Sequence, residues 1–112
     1  MGEPIEISPE VGLVLDALGN QTRRDILGIL RDRPMAVGAI TEHFRISRPA
    51  VSKHLRILRG AKLVEYRADG ASNVFCLNPD GFQEARVYLD QFWDEALLNF
   101  KRLAEETDEV HE

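Results

Sequence analysis

The 112-residue chain predicts a mainly α-helical fold with one small β-hairpin, and three observations predict it. Apolar residues recur at spacings of three and four along several stretches, and Ser8, Asn20, Ser47 and Asn78 each stand where a helix needs an N-cap. One segment breaks that period: β-branched and aromatic residues surround ADGAS (Ala68 to Ser72), in which Asp69-Gly70 is a hairpin signal. Finally, Phe82, Ala85, Leu89, Phe92, Ala96, Phe100 and Leu103 form one long apolar stripe near the C-terminus, widened by Trp93 and Leu97.

Taken in order, Ser8-Pro9-Glu10 opens a first helix expected from about Pro9 to Leu18, with Val11, Val14, Leu15 and Leu18 as its stripe. Gly19-Asn20 ends it, and Asn20 caps a second helix from roughly Gln21 to Arg31, where Ile26, Leu27, Ile29 and Leu30 supply core. Pro34 stops that helix, and Met35-Ala36 is expected as a short strand. Val37, Ile40 and Phe44 then make a short third helix, separated only by Arg45-Ile46-Ser47 from a fourth. Ser47 caps that fourth helix ahead of Arg48-Pro49, since proline is tolerated where its missing N–H would go unpaired anyway. It should run to about Gly60-Ala61 with Val51, Leu55 and Leu58 on its buried side. Strands follow at Lys62 to Arg67 and Asn73 to Leu77, and Asn78-Pro79 starts a last helix reaching about Glu105. The tail TDEVHE is expected to be frayed. The whole is expected to be a single domain over residues 1–106, with a core at about 21–78, flanking helices at about 9–18 and 79–105, and a disordered acidic tail at 107–112.

Composition narrows the function. A content of 44% hydrophobic and 29% charged residues is ordinary for a soluble protein, and no apolar run approaches the roughly 18 residues a membrane span needs. The start MGEPIEISPE is no signal peptide, and Glu6 breaks the myristoylation pattern that Met1-Gly2 opens. One cysteine, Cys76, excludes an intramolecular disulfide and suits a reducing compartment, so the expected location is the cytoplasm. No glycine-rich phosphate loop, nucleophile elbow or zinc spacing is present, so neither an enzyme nor a cofactor is expected.

The net charge of −5 is unevenly spread: residues 1–20 carry −4, residues 21–67 carry +7 and residues 68–112 carry −8. The positive segment contains the third and fourth helices, whose tight connection makes a helix-turn-helix, followed by a hairpin placed as a wing. Double-stranded DNA is the expected partner. Ser47 opens the recognition helix. Base contacts fall to Arg48, Ser52 and Lys53, and Pro49 and Ala50 offer apolar contact to a thymine methyl. Arg56 and Arg59 lie further along, nearer phosphates, although each cation alone is also readable as a solvated surface charge. His54, at the edge of the apolar stripe, is expected to be partly buried or to touch phosphate, not to bind metal. Thr22-Arg23-Arg24 reads either as a phosphate contact or as part of an intramolecular salt bridge. Cys76 is expected to face inward and to be inert. The last stripe is wider than a small monomer readily covers, so Leu89, Phe92, Trp93, Ala96 and Phe100 are expected to pair with Val11 and Leu15 across a twofold axis. A homodimer implies an inverted-repeat operator with half-sites about 34 Å apart.

TRRDIL (Thr22 to Leu27), VGAITEHFRISRPAVSKHLRIL and GAKLVEYRADGASNVFCLNP together resemble the ArsR/SmtB family of bacterial winged-helix repressors, over roughly Leu15 to Phe100. The resemblance implies a repressor, often of its own promoter, that excludes polymerase sterically and dimerises through the first and last helices. Many relatives sense metals through a cysteine pair on the third helix or a His/Asp set on the last. Here Ala39-Ile40-Thr41-Glu42-His43-Phe44 has no thiol, and Asp90, Asp94 and Glu95 stand without histidine, so no metal site is expected. The chain therefore resembles the metal-independent, autorepressor-like branch. Relatives often have arginine at the wing tip, whereas this tip is Asp69-Gly70-Ala71-Ser72-Asn73, which leaves Arg67 and Asn73 as candidates for backbone contact. Two other readings compete: a winged-helix module that docks proteins, and a metal- or thiol-responsive repressor with unfamiliar ligands. No effector is visible in the sequence.

Overall fold

Four short polar side chains set the helix starts. In the computed structural model, which describes residues 7–110 and the side chains of 7–107, the Val11 N–H donates to Ser8 Oγ at 3.2 Å and the Arg23 N–H to Asn20 Oδ1 at 3.1 Å. The Ala50 N–H likewise donates to Ser47 Oγ at 3.3 Å, and the Asp80 N–H to Asn78 Oδ1 at 3.0 Å. Each cap satisfies a backbone donor that has no partner within its helix. The elements are α1 (Pro9–Leu18), α2 (Gln21–Asp32), β1 (Met35–Ala36), α3 (Val37–Thr41), α4 (Arg48–Gly60), β2 (Val64–Asp69), β3 (Ser72–Leu77) and α5 (Pro79–Val110). This is the expected order of helices, helix-turn-helix and hairpin. Residues 1–6, including Glu6, and the last two residues of the tail lie outside the described residues.

The three strands form one antiparallel sheet in the order β1-β3-β2, with Met35 opposite Phe75 and Tyr66 also opposite Phe75 on the other side. Ile26, Ile40, Val51, Leu55, Leu58 and Leu63 are fully buried between the helices and this sheet. Each such side chain contributes about 1.5–3 kcal/mol, so α4 is held by its apolar side and not by its cations.

Four boundaries differ from expectation. α3 ends at Thr41: the His43 N–H donates to the Ile40 carbonyl and the Phe44 N–H to the Thr41 carbonyl, both at 3.0 Å. These i to i−3 bonds tighten the last turn while Phe44 still reaches the core. The strands extend into ADGAS, leaving a two-residue loop, Gly70-Ala71, between Asp69 and its partner Ser72. Gly70 has φ 63, the conformation a tight hairpin needs at its first central residue.

Lys62, expected in the first strand, instead terminates α4. Its N–H donates to the Arg59 carbonyl and that of Leu63 to the Leu58 carbonyl, both at 3.0 Å, with Lys62 at φ 58. That is the Schellman ending, with lysine in the left-handed place that glycine usually takes. Lastly, α5 runs to Val110, so residues 107–110 of the expected disordered tail are helical. After Gly81 no glycine or proline interrupts it, and Thr107 Oγ1 donates to the Leu103 carbonyl at 2.9 Å.

α5 is clasped to the end of α4. The Gly81 N–H donates to the Lys62 carbonyl at 2.8 Å, and a Cβ at Gly81 would lie 2.5 Å from the Ala61 carbonyl oxygen. Only glycine admits this approach. Ala85 is the last buried side chain of α5 and Tyr88 is half-buried; from Leu89 to Thr107 every side chain is exposed. The helix therefore projects from the domain, and the molecule measures 72 × 24 × 21 Å.

Candidate nucleic-acid interface

At about 100° per residue, α4 has four sides of different chemistry. Val51, Leu55 and Leu58 point into the core. Pro49, Lys53 and Arg56 point outward and are exposed. Arg48, Ser52 and Arg59 flank them on the side of the wing, the β2–β3 hairpin, and Ala50 and His54 flank them on the side of α2. The outer side and the wing side thus join into one polar surface running the length of the helix.

The cations on this surface are unneutralised. Among the described residues the ion pair is Arg86 with Asp90, 3.9 Å apart on α5, and none involves α4. Arg59 lies over the Tyr66 ring at 4.1 Å from its centroid, and Tyr66 packs on Phe75 with centroids 5.7 Å apart. A cation–π contact of this kind orders the guanidinium without removing its charge. Arg48, at the other end, lies beside Gly38 of α3, with Nη1 3.9 Å from where a Cβ would stand.

His54 is half-buried, and its Nδ1 accepts from Arg23 Nη1 at 3.4 Å. Because arginine only donates, this bond requires Nδ1 without a proton. Burial, then the charges of Arg23 and Lys53, hold this imidazole below its ordinary value of 6.5. The same Arg23 side chain donates through Nε to the Ala17 carbonyl at 2.8 Å and through Nη2 to the Asp16 carbonyl at 3.1 Å. Arg24 Nη1 donates to the Leu18 carbonyl at 2.8 Å. Both arginines therefore serve the C-terminus of α1, in place of the intramolecular carboxylate partner expected as one alternative.

Other expected residues separate. Ser47 uses its hydroxyl oxygen as the helix cap. Asn73 lines the space between the wing and α4, but the strand pleat puts Arg67, opposite Val74, on the other face of the hairpin. There it donates to Cys76 Sγ at 3.9 Å. Cys76 is buried on that same face between Arg67 and Glu65, outside the main core, which corrects its expected inward position; Phe75 and Leu77 face inward instead.

Of the residues expected to pair with a second copy, Val11 is 6% exposed and packs within its own chain, whereas Leu13, which the sequence stripe omits, is 54% exposed. Leu15 is half-buried. Leu89, Phe92, Trp93, Ala96 and Phe100 are all exposed, Trp93 at 64% and Phe100 at 72%. Arg59 was assigned only generically to phosphate; its spacing of eleven from Arg48 places both on one side of a helix and is the signal that reveals the wing-facing row.

An HTH-type transcriptional regulator of Mycobacterium tuberculosis is 42% identical to this chain over 87 residues, which cover 78% of this chain and 81% of the relative. The chain belongs to the ArsR family. The profile of bacterial regulatory proteins of the ArsR family matches residues 20–66, from the α2 cap into the first wing strand. The transcriptional repressor SdpR of Bacillus subtilis is 38% identical over 79 residues, 70% of this chain and 88% of its own. Among solved structures, the homodimeric winged helix-turn-helix DNA-binding domain of a possible ArsR-family regulator from Mycobacterium bovis is 29% identical, with a TM-score of 0.60, covering 81% of this chain and 83% of its own. A possible transcriptional regulator for arsenical resistance is 33% identical, with a TM-score of 0.66, covering 77% and 94%. As an ArsR-family member this protein is a transcriptional regulator and not an enzyme. Among the described residues no helix is long and apolar enough to cross a membrane, and no three His, Cys, Asp or Glu side chains converge as a metal site would need.

Proposed function

We propose that this ArsR-family protein is a cytoplasmic homodimeric repressor that reads an inverted-repeat operator with α4, its own upstream region being the first candidate. The observation that carries the reading is the outer side of α4: exposed Pro49, Lys53 and Arg56, flanked by Arg48 and Ser52, stand on a helix whose other side is locked into the core. Arg48 and Lys53 suit guanine edges, Ser52 suits any base, and Pro49 and Ala50 suit a thymine methyl. Arg56 and, from the wing, Asn73 serve the phosphates. The exposed aromatic side of α5, with Leu13 and Leu15 of α1, pairs with a second copy and spaces two α4 helices by about one DNA turn. The homodimeric M. bovis neighbour and the B. subtilis repressor support this reading. Bound there, the dimer blocks polymerase.

Fluorescence anisotropy of a labelled duplex from the upstream region, beside a scrambled duplex, tests it. Preferential binding that weakens linearly in log salt is expected, and Lys53→Ala and Arg48→Ala should each cost about 1–3 kcal/mol. Indifference to duplex DNA at low salt would sink the proposal and favour a docking role.

A further inference from the structure

The row Arg48, Ser52, Arg56 and Arg59 does more than edge the outer side of α4. With Asn73 and Phe75 of the wing it lines an open cleft of about 410 Å³. Three features of this cleft exceed what a passing DNA backbone requires. The first is its volume, which lies within the roughly 300–1,000 Å³ of small-ligand pockets, whereas a backbone contact needs only a ridge. The second is its floor: Leu55, the half-buried Phe75 and Val37 are apolar, and an apolar floor favours a flat hydrophobic group over a sugar-phosphate chain. The third is its readiness. Arg59 is held on Tyr66 at 4.1 Å, so one of the three guanidinium groups is ordered before anything binds. No carboxylate lines the cleft, so the positive charges of Arg48, Arg56 and Arg59 along it are uncompensated. Arginine's planar donor fork matches phosphate oxygens.

We propose that this cleft is a binding site for a small phosphate ester carrying a flat apolar group, with the phosphate on the arginines and the flat group on Phe75. Because Arg48, Ser52, Arg56 and Asn73 belong to the surface assigned above to DNA, ligand and operator exclude one another. This second half rests on that assignment. A ligand bound to the free protein alone lowers the apparent DNA affinity by mass action, which supplies a derepression signal.

The test uses the full chain labelled with ¹⁵N and naphthyl phosphate as the probe, with inorganic phosphate and naphthol as comparison arms. Naphthyl phosphate should shift the amides of Ser52, Arg59, Asn73 and Phe75 and bind about tenfold or more tighter than either arm. Arg59→Gln and Ser72→Asp, which puts a carboxylate on the exposed wing wall, should each weaken it by about tenfold while leaving the melting temperature in place. Added to the labelled duplex complex, naphthyl phosphate should release the DNA. Equal affinity for inorganic phosphate, or shifts elsewhere in the protein, would overturn the site and leave a wall that only tracks phosphates. Duplex retained at saturating naphthyl phosphate would overturn the exclusion. Binding of naphthyl phosphate in the cleft by a protein that ignores duplex DNA would sink the DNA reading and leave the site standing.

Discussion

The Arg23 guanidinium donates to two carbonyls at the end of α1 and to the imidazole of α4, so a single side chain ties together three helices. Removing it in Arg23→Ala leaves half-buried acceptors unmet, and chemical denaturation should show a loss of about 1–3 kcal/mol. His54 makes the same junction sensitive to pH. Burial foremost, with Arg23 and Lys53, disfavours its charged form, so the unfolded chain takes up the proton more readily than the folded one. Its contribution to stability is complete above the ordinary value of 6.5 and is lost as pH falls below it. The melting temperature should drop on acidification from about pH 7.5 to 5.5, and His54→Gln should flatten that slope. An unchanged slope in the variant would remove His54 from the account. The partial burial of His54 was legible in its place at the edge of the apolar stripe, but the partners of Arg23 and Arg24, read as phosphate or carboxylate, were not. Their partners are backbone carbonyls, which any residue type supplies.

Elements were more legible than contacts, because caps and periodicity are local. Ser8, Asn20, Ser47 and Asn78 each open a helix through the hydrogen bond their side chains imply. Two of the misplaced boundaries depend on non-local packing. Lys62 leaves the strand because its carbonyl meets the Gly81 N–H some twenty residues on, and α3 shortens because Phe44 must reach the core. The glycines make this difference measurable. Gly28 lies exposed inside α2 with nothing within 4 Å of a Cβ, so Gly28→Ala should raise stability by about 0.4–1 kcal/mol. Gly81→Ala should lower it by about 1–3 kcal/mol, since its Cβ meets two backbone carbonyl oxygens that cannot yield without moving α5 from α4. Equal effects at the two sites would show that the clasp does not exist in solution.

At the scale of the whole molecule, the outward half of α5 is the feature a single copy leaves unsatisfied. Phe92, Trp93, Leu97, Phe100 and Leu103 are exposed together, a contiguous apolar surface that marks an interaction site. Its length, its width and its excess over what the domain can cover were legible in the alternating spacings, whereas the direction in which α5 leaves the domain was not, because the Gly81 contact sets it. Light scattering should give a mass twice the 12.7 kDa of the chain, and Phe100→Asp should shift the protein toward monomer by placing a charge in the paired surface. The charge distribution belongs to this scale too: a body at −5 overall keeps its +7 in residues 21–67, so binding to a scrambled duplex is expected to be weak. The central claim is that two copies present two α4 helices to one duplex face. Hydroxyl-radical footprinting of the upstream region tests it most directly. Two protected patches related by a twofold axis, about 34 Å apart, are expected, both lost on Phe100→Asp at concentrations where the native protein protects. A single patch, or a pattern that survives Phe100→Asp unchanged, would contradict it.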